Sequence, residues 1–141
     1  MTWATDSLFV AGGDFVTEHW GEFQSQAGVS AVIVLATAPP TFALDPRPAA
    51  LLWLPVADES HYTLEQLKLG TQFIGDMLMV KRKVLLHSPI ALHHTRPLVA
   101  AHLLKQGKSL ARVLREMEQR PWLPPYKGEL ALLEKFLEGG K

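Results

Sequence analysis

The 141 residues contain no cysteine, which excludes disulfides, thiolate metal sites and thiol catalysis in the chain as it stands. Net charge is absent too, because 14 Lys and Arg balance 14 Asp and Glu. The whole-protein field therefore gives no reason to expect nucleic acid or an anionic membrane as the main partner, and any attraction for phosphate has to be local. No apolar run approaches the length of a membrane span, and residues 1–9 lack the charged and apolar regions of a signal peptide, so a cytoplasmic chain is expected. The length predicts one domain over residues 1–141, burying roughly two thirds of the surface of the unfolded chain.

What is present is an alternation of apolar strands and amphipathic helices. A short apolar run predicts a strand over residues 8–11, turned by Gly12 and Gly13. Asp14 is expected to cap a helix over 15–26 with Phe15, His19 and Phe23 on one face, stopped at Gly28. Residues 30–36 are almost continuously apolar and β-branched, the pattern of a strand buried on both faces. Pro39, Pro40, Pro46 and Pro48 exclude a regular element over 38–50. A further strand runs to Pro55. Thr63 and Gln66 then form a capping box that starts a helix to about Met79, with Gly70 and Gly75 lowering its propensity. Toward the C-terminus, Gly107 stops one helix and Ser109 caps another, bearing Leu110, Val113, Leu114 and Met117. A last helix over 129–138 is expected to turn Leu130, Leu133, Phe136 and Leu137 inward, ahead of a frayed end at 139–141. The fold class is α/β, a central mostly parallel sheet of about four to five strands flanked by helices, with its ligand crevice at the carboxyl ends of the strands.

One stretch, residues 84–104, organises the rest. An apolar strand (Val84, Leu85, Leu86) ends at His87, a short loop follows, and Thr95 and Pro97 open an Ala/Leu-rich helix. Unpaired amides converge where a loop feeds a helix N-terminus, and the helix dipole adds a field that favours anions. The run His87-Ser88-Pro89-Ile90-Ala91-Leu92-His93-His94-Thr95 resembles the signature of cysteine-dependent phosphatases of the dual-specificity type, His-Cys-x-x-Gly-x-x-Arg-Ser/Thr. The resemblance extends to element order along nearly the whole chain, and it places Asp58, thirty positions ahead of Ser88, where that family carries its general acid.

The side chains depart from the signature where its chemistry lies. Ser88 stands for the nucleophilic cysteine, Ala91 for the glycine and His94 for the phosphate-clamping arginine. A hydroxyl is a far weaker nucleophile than a thiolate and needs a positioned general base. A histidine offers one or two donors and only partial charge, where an arginine gives a permanent bidentate clamp. If the backbone at Ala91 requires φ > 0, its methyl group strains the loop. Arg96 either reaches the loop mouth or points to solvent. His87, His93 and His94, with His61 or Asp58, are metal-ligand types, but H-x5-H-H matches no established zinc spacing. No metal and no cofactor are expected.

The resemblance thus implies an inactive phosphatase-like protein whose loop, Ser88, Pro89, Ile90, Ala91, Leu92, His93, His94, Thr95 and Arg96, binds phosphate or a phosphorylated protein or small molecule. Three alternatives stay open. One is a phosphoric monoester hydrolase with altered chemistry. Another is a Cys-to-Ser form of an active enzyme, which would account for Ser88 but not for His94 or Ala91. The third is a loop collapsed on itself, with the function elsewhere.

Overall fold

The computed structural model describes residues 2–40 and 44–139, with Phe15 and Thr17 followed as backbone only. The expected positions of the Phe15 side chain, of residues 41–43 and of 140–141 lie outside that set. Five strands form one sheet: β1 (Thr2–Trp3), β2 (Leu8–Gly12), β3 (Val29–Leu35), β4 (Ala50–Leu54) and β5 (Lys83–Ser88). Their spatial order is β1-β2-β5-β3-β4. All pairs are parallel except the short antiparallel β1, which the sequence pattern missed. The strand of the signature stretch is therefore the central one, flanked by β2 and β3.

Alternation along the strands sorts two cores. Phe9, Ala11, Val32, Val34 and Leu85 pack toward α1 (Phe15–Ala27), where Val16, Trp20 and Phe23 meet them. Leu8, Val10, Ala31, Ile33, Val84 and Leu86 face the other way, as a period of two requires. That second face is covered by α2 (Leu64–Met79), α3 (Arg96–Lys105), α4 (Leu110–Glu118) and α5 (Glu129–Gly139). Every residue of α3 from Arg96 to Leu104 is buried, so this helix forms the middle of the layer.

Local signals behave as their chemistry dictates in α2, where the Thr63–Gln66 capping box is complete, and in α4, where Ser109 accepts from the Arg112 amide. Gly28 closes α1 with φ 74°. Others do not. Asp14 stands at the N-cap position with helical backbone and makes no capping hydrogen bond through its side chain, and α1 departs from helical geometry at His19. In α5, Leu133 and Phe136 are buried, but Leu130 is 51% exposed. The inner face begins instead with Glu129, for a reason found at the site below. The connection over 38–50 has no regular element among its described residues before Ala50, and two indoles hold its surroundings: Trp20 donates to the Pro46 carbonyl (2.6 Å) and Trp53 to that of Ala36 (2.8 Å).

Gly70 has a role that helix propensity does not reveal. A Cβ there would lie 2.6 Å from Cδ1 of Leu98, a fully buried side chain of α3. Gly75 has no atom within 4 Å of such a Cβ. Gly70→Ala is therefore expected to destabilise the protein by about 1–3 kcal/mol through overpacking, and Gly75→Ala to stabilise it by roughly 0.5–1 kcal/mol through propensity. Urea denaturation of the two variants should give shifts of opposite sign.

Candidate functional site

Residues at the carboxyl ends of β2 and β5 build the floor of the site. Gly12 pairs in register with Ser88. Just beyond them the Gly13 amide donates to the Ser88 carbonyl (3.0 Å), and the Gly13 carbonyl lies 3.0 Å from His87 Nε2. A carbonyl only accepts, so His87 donates from Nε2. Burial lowers the His87 pKa, against the opposing effects of this hydrogen bond and of the Asp14 charge. Burial likewise lowers that of His102, helped by Lys108. Their native pKa values fall below the usual 6.5. The stability gained by keeping them neutral is complete above that pH and is lost as pH drops through the lowered values, because the unfolded chain then binds more protons. The urea midpoint is expected to fall between about pH 7.5 and 5.5, and to fall less in His102→Gln.

Ser88 is wholly buried. Its Oγ lies 3.4 Å from His94 Nδ1 and 3.4 Å from the Ala91 amide, both long for hydrogen bonds. Ala91 is extended (φ −156°, ψ 136°), so a methyl group in place of hydrogen meets no left-handed backbone there, and the expected strain does not arise. Ile90 is 70% exposed. A 3-10 turn, Leu92–Thr95, then leads into α3, with Thr95 Oγ1 donating to the Leu92 carbonyl (2.8 Å). Tyr62, just ahead of α2, donates to the His94 carbonyl (2.7 Å). Burial first, then the acidic neighbours Tyr126 and Glu59, holds the Tyr62 pKa well above its usual value, so the hydroxyl stays a donor.

Arg96 neither reaches the loop mouth nor points to solvent. Its Nε and Nη2 form a bidentate pair with the Glu129 carboxylate (Nη2 to Oε2 2.9 Å), and its Nη1 donates to the Leu123 carbonyl. Glu129 is the first residue of α5, a place where a carboxylate is favoured. The pair uses the one arginine of the 84–104 stretch as a tie between helices and keeps its guanidinium out of the loop.

Asp58 is likewise engaged. Its Oδ1 accepts from the Ser60 amide (2.8 Å) and from His61 Nδ1 (2.6 Å). The His61 hydrogen bond is the largest cause of a pKa held below the usual aspartate value, which suits a carboxylate and works against a general acid. The residue that does approach the loop is its neighbour. Glu59 Oε2 stands 3.4 Å from His94 Nε2 and 3.8 Å from His93 Nε2, and the two imidazoles meet edge to face with centroids 4.7 Å apart. The expected histidine set is thereby divided: His87 is taken by Gly13 and His61 by Asp58, while Glu59, His93 and His94 bring one ligand-type atom each within 4.8 Å of the others. Beside the loop lies a cleft of about 500 Å³ lined by Ile90, Ala91, Leu92, Gly12, Gly13 and Trp122 among others, but not by Ser88 or His94.

No protein-family model matches the chain, and no curated protein matches it in sequence. Solved structures do match its fold. Human DUSP28 superposes with a TM-score of 0.79 at 21% identity, covering 99% of this chain and 96% of that one. The human tyrosine phosphatase-like serine/threonine/tyrosine-interacting protein gives 0.80 at 18% identity, with 98% and 95% covered. PTPMT1, solved in complex with PI(5)P, gives 0.76 at 17% identity, with 96% and 93% covered. No helix among the described residues is long and apolar enough to cross a membrane. The chain has a dual-specificity-phosphatase-like fold, a five-stranded sheet between one helix and a layer of four, with Ser88 at the carboxyl end of its central strand.

Proposed function

We propose that this chain is a catalytically inactive phosphatase-like protein, a single domain over 1–141 that acts in the cytoplasm and binds phosphate or a phosphorylated partner through the 88–95 loop. The observation that carries the reading is the Arg96–Glu129 pair, which removes the available guanidinium from a loop that already holds Ser88 where the resemblance calls for a thiolate. Without both groups a phosphoryl transition state has neither nucleophile nor clamp. The strand-loop-helix layout that favours an anion is kept, with a ten-residue helix following the loop, and the exposed Ile90 and the adjoining cleft offer apolar surface to whatever bears the phosphate.

A second reading, hydrolysis by altered chemistry, draws on one observation: Ser88, His94 and Glu59 follow one another at 3.4 Å and 3.4 Å, the order of a nucleophile, base and orienting carboxylate. Both separations exceed the roughly 2.6–3.2 Å at which such relays work. The chain is expected to show no turnover of p-nitrophenyl phosphate and Ser88→Cys little, whereas Ser88→Cys/His94→Arg recovers turnover at least about a hundredfold above the single variant. Turnover by the unaltered chain that vanishes in Ser88→Ala would instead establish the second reading.

A further inference from the structure

We propose that Glu59, His93 and His94 form a binding site for a divalent transition-metal ion of the zinc type. Zinc takes histidine nitrogens and carboxylate oxygens at about 2.0–2.2 Å in tetrahedral geometry, which sets neighbouring ligand atoms roughly 3.3–3.5 Å apart. The Glu59 Oε2 to His94 Nε2 separation, 3.4 Å, falls in that range; that to His93 Nε2 is 3.8 Å, and the three ligand atoms lie within 4.8 Å of one another, so the half-exposed His93 has to turn inward to complete the set. A charge-assisted hydrogen bond would draw the same groups to about 2.7–2.9 Å. Neither contact is a hydrogen bond: Glu59 Oε2 is buried with no hydrogen-bond partner, a cost that a buried carboxylate oxygen does not ordinarily bear. An ion between the three residues relieves it.

The surroundings suit metal ligation. With Nε2 of His94 turned to the ion, the proton sits on Nδ1 and is donated toward Ser88 Oγ, 3.4 Å away. This is the place of the outer-shell partner that fixes the tautomer of a ligating imidazole, at a separation that binding of the ion has to shorten. A serine oxygen accepts it well, which gives Ser88 a positioning role at the place of a nucleophile. Tyr62 holds the His94 backbone by donating to its carbonyl. Exposure rises from 12% at the His94 side chain through 21% at Glu59 to 43% at His93, so the set is open on one side for entry of the ion. Two neutral imidazoles and one carboxylate leave a divalent ion with net positive charge and a free coordination position, which accepts water or an anionic oxygen.

The site does not depend on phosphate binding, and the test is made without phosphate. The full chain is titrated with ZnCl2 by calorimetry and with CoCl2 by visible absorption, alongside Glu59→Gln, His93→Gln and, as a control, His61→Gln. One equivalent is expected to bind, with the d–d bands of four-coordinate cobalt. Glu59→Gln and His93→Gln should each weaken binding at least tenfold, and His61→Gln should leave it unchanged. Thermal melts in the absence of metal check folding, and the half-exposed His93 keeps the test decisive if Glu59→Gln does not fold. Absence of saturable binding by the unaltered chain, retention of affinity in both ligand variants, or equal loss in His61→Gln would overturn the site.

Discussion

Replacing Glu129 by alanine should lower the free energy of unfolding by about 3–5 kcal/mol, because it strands the Arg96 guanidinium as an uncompensated buried charge. The magnitude follows from burial and geometry together. The two side chains are only 4% and 9% exposed, and three guanidinium nitrogens are used, two by the carboxylate and one by the Leu123 carbonyl. A surface pair would contribute less than about 1 kcal/mol; here the desolvation of arginine is offset only while its partner remains. The same reasoning predicts that Arg96→Met/Glu129→Leu regains most of the loss, since replacing both partners by apolar groups is often neutral. Urea denaturation of the single and double variants measures this directly. A single-variant shift below about 1 kcal/mol would mean that the pair is solvated and does not anchor the start of α3.

Gly12→Ala is expected to have the next largest effect, and its effect reaches the site. A Cβ at Gly12 would lie 2.5 Å from the Leu92 amide nitrogen, 3.0 Å from Leu92 Cα and 3.1 Å from the Ala91 carbonyl carbon. All three are backbone atoms, so no side chain can swing aside, and either β2 or the 89–92 loop must move. Overpacking of this kind costs typically about 1–3 kcal/mol. Because the displaced atoms belong to the loop between Ser88 and His94, the variant should also weaken phosphate binding by at least about tenfold, which is roughly 1.4 kcal/mol. Amide chemical shifts compared between the variant and the parent would locate the change. Shifts confined to β2, with residues 89–95 unmoved, would show that the loop does not rest on Gly12.

These two positions also mark where sequence reading stopped. Apart from β1 and the Asp14 cap, strands, helices and caps were legible because their causes are local: continuous apolar runs for β3 and β5, Thr63 with Gln66 for α2, Ser109 for α4, Gly28 for the end of α1. The signature stretch was legible for the same reason, as one unbroken segment of chain. Partners brought together by the fold were not. Arg96 and Glu129 are 33 residues apart and Tyr62 and His94 are 32 apart, and no local pattern links either pair. Gly12 read as a turn residue and Gly70 as a weak point of a helix, yet each is small because another element passes close by. Asp58 drew attention by its spacing from Ser88, whereas the carboxylate that approaches the loop is Glu59. The signal that could have found Glu59 was only its adjacency to Asp58, since which of two neighbouring acids approaches the loop is settled by the folded chain and not by local pattern.

The central claim is that the loop keeps a phosphate site and has lost its reagent. The most direct test is a titration of the 15N-labelled chain with O-phospho-L-tyrosine, followed in one experiment by the protein amide spectrum and by the phosphorus signal of the ligand. The account predicts saturable shifts concentrated in the amides of residues 90–96, with the phosphotyrosine intact after prolonged incubation. Amides of the loop that stay unmoved at saturating ligand, or inorganic phosphate accumulating in proportion to protein, would contradict it.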